Sequence, residues 1–200
     1  EQMSGLREKI SVYRDMTDEQ IMADMMVMPN YDVYLSAKNI AGNVGVLLLN
    51  HGFGDRLNAE LEKVMKPVSD KYPTAVAYGM VMESAAAIQS AVDRLEGAGA
   101  KNIVIIPFDT MKQTRLRRQW DYVFNLREEA EYLSVPRVKT GAKIAFTENP
   151  SDAPVLATIM LDHARAEVGE LPRSGRAGGE RFDRSGWIKP VTLGENQRFA

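Results

Sequence analysis

Cysteine is absent from the 200 residues, which excludes disulfides, thiolate nucleophiles and thiolate metal sites. Histidine is almost absent: His51 and His163 are the only two, so any imidazole chemistry must use one of them. Neither sign of charge is in excess. With 25 Lys and Arg against 27 Asp and Glu, the net charge is −2, and the broad basic field of a general nucleic-acid binder is missing. Long apolar runs are also missing. A stretch such as Val46 to Leu49 is strand-sized, far short of a membrane span. No signal peptide is visible after Glu1, so the cytoplasm is the default expectation, with export after removal of a leader as the alternative. What remains is ordinary for a globular protein, 44% hydrophobic and 26% charged. The length suits one well-buried domain with something left over, but not two full α/β domains.

The pattern along the chain begins with helix over Leu6 to Met28. Thr17 followed by Asp18 and Glu19 gives a cap and first-turn carboxylates that suit the positive end of a helix dipole. Methionines 22, 25, 26 and 28 have the look of a ligand box. Met22, Met25 and Met26 fall at i, i+3, i+4, however, and that spacing predicts a packing face. Pro29-Asn30 ends the helix. From Val44 the period changes. Gly45 to Leu49 is a continuous apolar run of the kind covered on both faces of a sheet. Leu57, Leu61, Val64, Met65 and Val68 then recur at helical spacing, and Thr74 to Met80 reads as a second strand. Ile88, Ala91, Val92 and Leu95 mark another helix, Asn102 to Ile106 a third strand, Met111 to Leu126 a helix, Lys143 to Phe146 a fourth strand, and Asp152 to Val168 a last helix.

Strands alternating with helices predict an α/β fold, a mainly parallel four-stranded sheet with helices on both faces in flavodoxin-like layering, preceded by an extra N-terminal helix. The expected organisation is an N-terminal helical extension over 1–43, an α/β domain over 44–170, and a flexible arm over 171–200. The arm is expected from the aperiodic, glycine- and arginine-rich stretch Pro172 to Glu180. Right-handed crossovers place the C-terminal ends of all the parallel strands at one edge, where such sheets bind ligands.

The residues expected at that edge carry what chemistry the sequence offers. His51 follows the first strand in Asn50-His51-Gly52-Phe53-Gly54-Asp55, and Gly52 and Gly54 allow a bulky ligand close to the backbone. The other reading of His51 is an imidazole hydrogen-bonded inside its own turn. The Gly-x-Gly is too short for a dinucleotide fingerprint, and the loop lacks the hydroxyls of a phosphate cradle. Glu83, after the second strand, reads either as a carboxylate partner for His51 or as a helix N-terminal carboxylate beside Ser84. Asp109, after the third, is an oxygen ligand or a cap for the next helix. Lys112, Arg115, Arg117 and Arg118 form a basic cluster, either a solvated helix face or a recognition surface for carboxylates. His163 sits mid-helix with Leu156 and Met160 on its face, which predicts packing and not ligation.

The run LLLNHGFGD, continued by AYGMVMESAAAIQSAVDRLEGAGAKNIVIIPF, is similar to the small cobalt-chelatase and sirohydrochlorin-chelatase family, whose first strand ends in His-Gly. The segments YVFNLREE and GAKIAFTENPSDAPVLATIMLDHARAE extend the resemblance, which covers about residues 44 to 168. It implies a chelatase-like fold in which a divalent metal, Co²⁺ or Fe²⁺, is inserted into sirohydrochlorin or a related macrocycle. In those terms His51 and Glu83 are the catalytic expectations, His51, Glu83 and Asp109 the metal ligands, and Gly52, Lys112 and Arg115 the contacts to the macrocycle. The metal is a substrate, and no organic cofactor is expected. Members of the family carry a second histidine after the third strand, in a stretch like PLFVSSHS. Here that stretch is Pro107 to Thr114, PFDTMKQT, with none. The alternative expectation is therefore a non-catalytic chelatase scaffold that binds metal, tetrapyrrole or a partner chain. Neither nucleic acid nor a membrane is an expected partner. A half-site with one histidine also leads to the expectation of a homodimer, with the Met22, Met25, Met26 face as a contact surface.

Overall fold

The computed structural model describes residues 2–109, 114–150 and 153–168. Lys112 and the expected arm over 171–200 lie outside the described residues. The chain divides at residue 157: residues 1–157 form one compact unit, and those from 158 belong to another.

The N-terminal segment is helical but interrupted. Helix α1 (Gln2–Lys9) and a 3₁₀ turn at Ser11–Tyr13 precede α2 (Asp18–Met26). Thr17 sets the break. Its backbone is extended, its hydroxyl accepts from the Gln20 amide at 3.2 Å, and the Gln20 side chain accepts from the Thr17 amide at 2.9 Å. This reciprocal cap starts a helix and cannot lie inside one.

The sheet contains the four expected strands and one more. Its members are β1 (Tyr31–Tyr34), β2 (Val44–Asn50), β3 (Thr74–Tyr78), β4 (Asn102–Phe108) and β5 (Lys143–Phe146), in the order β1-β3-β2-β4-β5. β1 is the addition, pairing antiparallel with β3, while the other pairings are parallel. Residues 1–43 therefore supply an edge strand to the sheet, and they share the compact unit of residues 1–157.

Alternation along the central strands sends side chains to two cores. Leu47, Leu49, Ala75 and Ala77 meet α5 (Ala86–Gly97) and α6 (Arg115–Val123) through Ile88, Val92, Leu95, Trp120 and Val123. Val46, Leu48, Val76 and Tyr78 face Leu61, Met65 and Val68 of α3 (Asp55–Val64), α4 (Lys66–Ser69) and the residue joining them. Both faces are thus covered, which is why β2 and β3 are continuously apolar and not alternating. α3 departs from its sequence pattern: Leu57 and Val64 are exposed, while Asn58 is buried on the inner face. A third cluster joins Leu6, Tyr13, Ile21 and Met25 of the N-terminal segment to Met82 and Tyr132.

The described part of the second unit lies on α7 (Pro154–Val168). His163 is exposed there, as is Met160, so the packing expected for this histidine is not what the structure gives. No helix among the described residues is long and apolar enough to cross a membrane.

Candidate functional site

The central strand β2 is followed by a crossover to β3 on one side, and β4, on its other side, by a crossover to β5. The chain therefore leaves the ends of β2 and β4 in opposite directions, and a crevice opens between them. Asn50 and Phe108, the last residues of the two strands, face each other in register. Asn50 is fully buried and fixes this junction. Its Nδ2 donates to the Phe108 carbonyl at 3.3 Å, and its Oδ1 accepts from the Gly52 amide at 2.7 Å.

His51 stands in the turn so held. Its Nδ1 lies 2.8 Å from the Gly52 carbonyl oxygen. A carbonyl can only accept, so Nδ1 carries the proton in the neutral ring and Nε2 keeps its lone pair. The reading of His51 as an imidazole hydrogen-bonded inside its own turn is met at Nδ1. The ring stacks loosely on Phe53, with centroids 6.2 Å apart.

Pro29 packs against this turn. Gly52 has φ +91°, and a Cβ there would sit 2.8 and 2.9 Å from the Pro29 ring carbons. Gly79, after β3, has φ +136°, and its Cβ would collide with the Pro29 carbonyl oxygen. Both glycines let the entry to β1 lie against the ends of β2 and β3.

His51 lines a cavity of about 420 Å³ with Gly52, Phe53, Phe108, Asp109, Arg115 and Tyr132. Of the expected site residues the structure brings together His51, Gly52, Asp109 and Arg115. It does not bring Glu83 with them. Glu83 is exposed and lines a separate cleft of about 20 Å³ bordered by methionines. Among the described residues no three of His, Asp and Glu gather as a metal-binding group.

Asp109 accepts a hydrogen bond from the Thr114 hydroxyl. Thr114 itself caps α6, accepting from the Arg117 amide at 3.0 Å, so the capping role considered for Asp109 belongs to Thr114.

The described arginines of the basic cluster are paired with carboxylates. Glu131, little exposed, accepts from Arg115 at 2.8 Å, from Arg118 at 2.7 and 3.0 Å and from Arg127 at 3.1 Å. The Arg118 bond, with those from Arg115 and Arg127, holds the Glu131 carboxyl at about 2, far below the ordinary carboxylate value. Arg117 turns to Asp121 at 2.9 Å and lies 4.6 Å from the centre of the Phe146 ring. Arg115 commits only Nε to Glu131. Its guanidinium sits 5.8 Å from the Tyr132 ring centre, against a phenol whose pKa burial raises.

Gln119, fully buried, braces this wall. It donates to the carbonyls of Val81 at 2.9 Å and Leu133 at 3.1 Å, and accepts from the amides of Glu131 and Tyr132 at 2.9 and 3.0 Å. Val81 has φ +57°, a left-handed conformation that strains a β-branched residue, and the Gln119 bond helps hold it.

The sequence reading missed the aromatic walls Phe53, Phe108 and Tyr132 and the polar braces Asn50, Asn58 and Gln119. A signal existed for two braces. Asn50 ends an apolar strand, and Gln119 shares the apolar face of Leu116, Trp120 and Val123. Tyr132 left none, since it sits in an aperiodic loop.

No family model matches the chain, and no curated protein matches it. Among solved structures, the chain is similar to a candidate cobalamin (vitamin B12) biosynthesis CbiX protein from Marinobacter aquaeolei VT8. The identity is 23% and the TM-score 0.45, over 63% of this chain and 95% of that one.

Proposed function

We propose that the protein takes a carboxylate-bearing tetrapyrrole, such as sirohydrochlorin, into the cavity at His51 and inserts Co²⁺ or Fe²⁺ into it. The observation that carries this reading is an imidazole, tied to its turn through Nδ1, in a cavity of about 420 Å³ walled by Phe53, Phe108 and Tyr132. Aromatic side chains bind a planar, conjugated ring through its faces. The first-strand His-Gly resemblance points to the same ligand class.

Insertion exchanges two pyrrole N–H protons for one divalent ion, so the site needs a base and a way to hold the metal. His51 Nε2 accepts a proton, passes it to solvent, and repeats the step. The Asp109 carboxylate lines the same cavity and supplies an oxygen ligand to the incoming ion. Arg115 retains donors beyond its Glu131 bond for a peripheral carboxylate of the macrocycle. Glu83, in its own cleft, has no part in this step.

The second reading, a scaffold that binds the macrocycle without metallating it, is favoured by one observation: among the described residues His51 and Asp109 have no third ligand to form a metal-binding group. Purified protein mixed with sirohydrochlorin and Co²⁺ decides between them. An absorbance change faster than the uncatalysed background supports insertion. Binding of the macrocycle at the background rate supports the scaffold, and no binding at all removes both.

A further inference from the structure

We propose a second site, independent of the first: a thioether pocket for one soft monovalent ion, Cu(I), between the N-terminal helical segment and the turn after β3. Four of the 11 methionines border a single cleft. Met25 stands in the last turn of α2 and Met28 just beyond it, and Met80 and Met82 follow β3. They come as two closely spaced pairs from two distant segments. The pairs share only Met25 with the face the sequence singled out, for Met22 and Met26 are exposed and lie outside the cleft.

Size restricts the occupant. About 20 Å³ holds one water-sized body, which is an ion and not a metabolite. Packing restricts the ligands, since Met25 and Met82 are each 4% exposed and Met28 and Met80 are partly buried against the same cluster. Methionine ordinarily fills gaps because it is long, unbranched and adaptable. Here four such side chains border a gap without closing it. The thioether is a neutral, polarisable donor that prefers Cu(I) to harder divalent ions. Charge is matched as well. Glu83 lines the cleft, and a carboxylate beside neutral ligands suits a cation. No thiol competes for a soft ion in this chain, because it has no cysteine.

The full chain carrying ¹³C-methyl methionine tests this, with Ag(I) as a redox-inert stand-in and Cu(I) under anaerobic conditions. The methyl signals of Met25, Met28, Met80 and Met82 should shift together and saturate at one equivalent, leaving Met22, Met26 and Met160 in place. In competition with a chromophoric Cu(I) chelator, the near-isosteric pair Met28→Leu and Met80→Leu should lower affinity at least tenfold. Met22→Leu with Met26→Leu should not change it. The wild-type spectrum needs no variant to fold, so it decides by itself if the double variant unfolds. Shifts that begin at the exposed methionines, no saturable shift, or unchanged affinity in a folded double variant would overturn the site.

Discussion

His51 and Gly52 are neighbours whose roles the structure separates. His51 lines the cavity, and no other histidine lies in the unit of residues 1–157. On the proposed function, His51→Ala should lower Co²⁺ insertion into sirohydrochlorin by about 10²-fold or more, the usual worth of a positioned base. The unfolding midpoint should stay near wild type. An unchanged rate in the folded variant would remove His51 from the chemistry. Gly52 does structural work. Alanine there adds left-handed strain and drives its Cβ into the Pro29 ring, while Gly54, with φ +92°, has nothing within 4 Å of a built Cβ. Both alanine variants carry strain of about 1–3 kcal/mol, and Gly52→Ala should be the more destabilising because it also meets Pro29. Urea unfolding of the two side by side isolates the Pro29 contact, and equal midpoints would show that this contact has no weight. The histidine was legible in the sequence because a polar residue ends an apolar strand. The contact of Gly52 with Pro29 was not, because Pro29 is brought to it only by the folded chain.

At the scale of elements, the parallel strands were legible because burial on both faces leaves continuous apolar runs. β1 was not. It is four residues long, lies at an edge, and its Tyr-Asp-Val-Tyr reads as a strand only beside Tyr78 and β3. α3 was misread in its facing, since Asn58 takes an inner position by accepting from the Phe53 amide at 3.0 Å and donating to the Tyr31 hydroxyl at 2.8 Å. The junction of α6 with the following loop shows the same limit, because the positive cluster was visible and the Glu131 that absorbs it was not. Glu131→Gln should destabilise the folded chain by about 1.5–3 kcal/mol at neutral pH, the range for hydrogen bonds to a charged group. The carboxyl is depressed to about 2 in the fold, against an ordinary value of 4.5 when unfolded. Its contribution is therefore complete above about pH 4.5 and is lost as pH falls through about 2. The gap between wild type and variant in urea midpoint should be constant from pH 7 to 5 and close towards pH 2. A gap that persists undiminished at pH 2 would show that charge is not its source.

For the whole molecule, the decisive question is whether residues 1–43 are an appendage, as the sequence pattern suggested, or part of the domain. Three contacts argue for the second. Leu6, Tyr13, Ile21 and Met25 share a core with Met82 and Tyr132, the latter a wall of the candidate cavity. Lys9 donates to the carbonyls of Ala130 and Tyr132 at 3.2 and 3.0 Å. β1 covers one edge of β3, a strand buried along its whole length. Removing the segment would uncover apolar side chains and bare the backbone donors and acceptors of an apolar strand, the arrangement that invites edge-to-edge association. A chain beginning at residue 44 should therefore aggregate or lose its cooperative unfolding transition. One beginning at residue 31 keeps β1 but loses Pro29 and the helical cluster. It should stay more soluble than the shorter chain and unfold at lower denaturant than the full one. Light scattering and urea titration of the three lengths give the order directly. If the chain from residue 44 is as soluble and as stable as the full one, the N-terminal segment is an appendage, and Tyr132 does not depend on it for position.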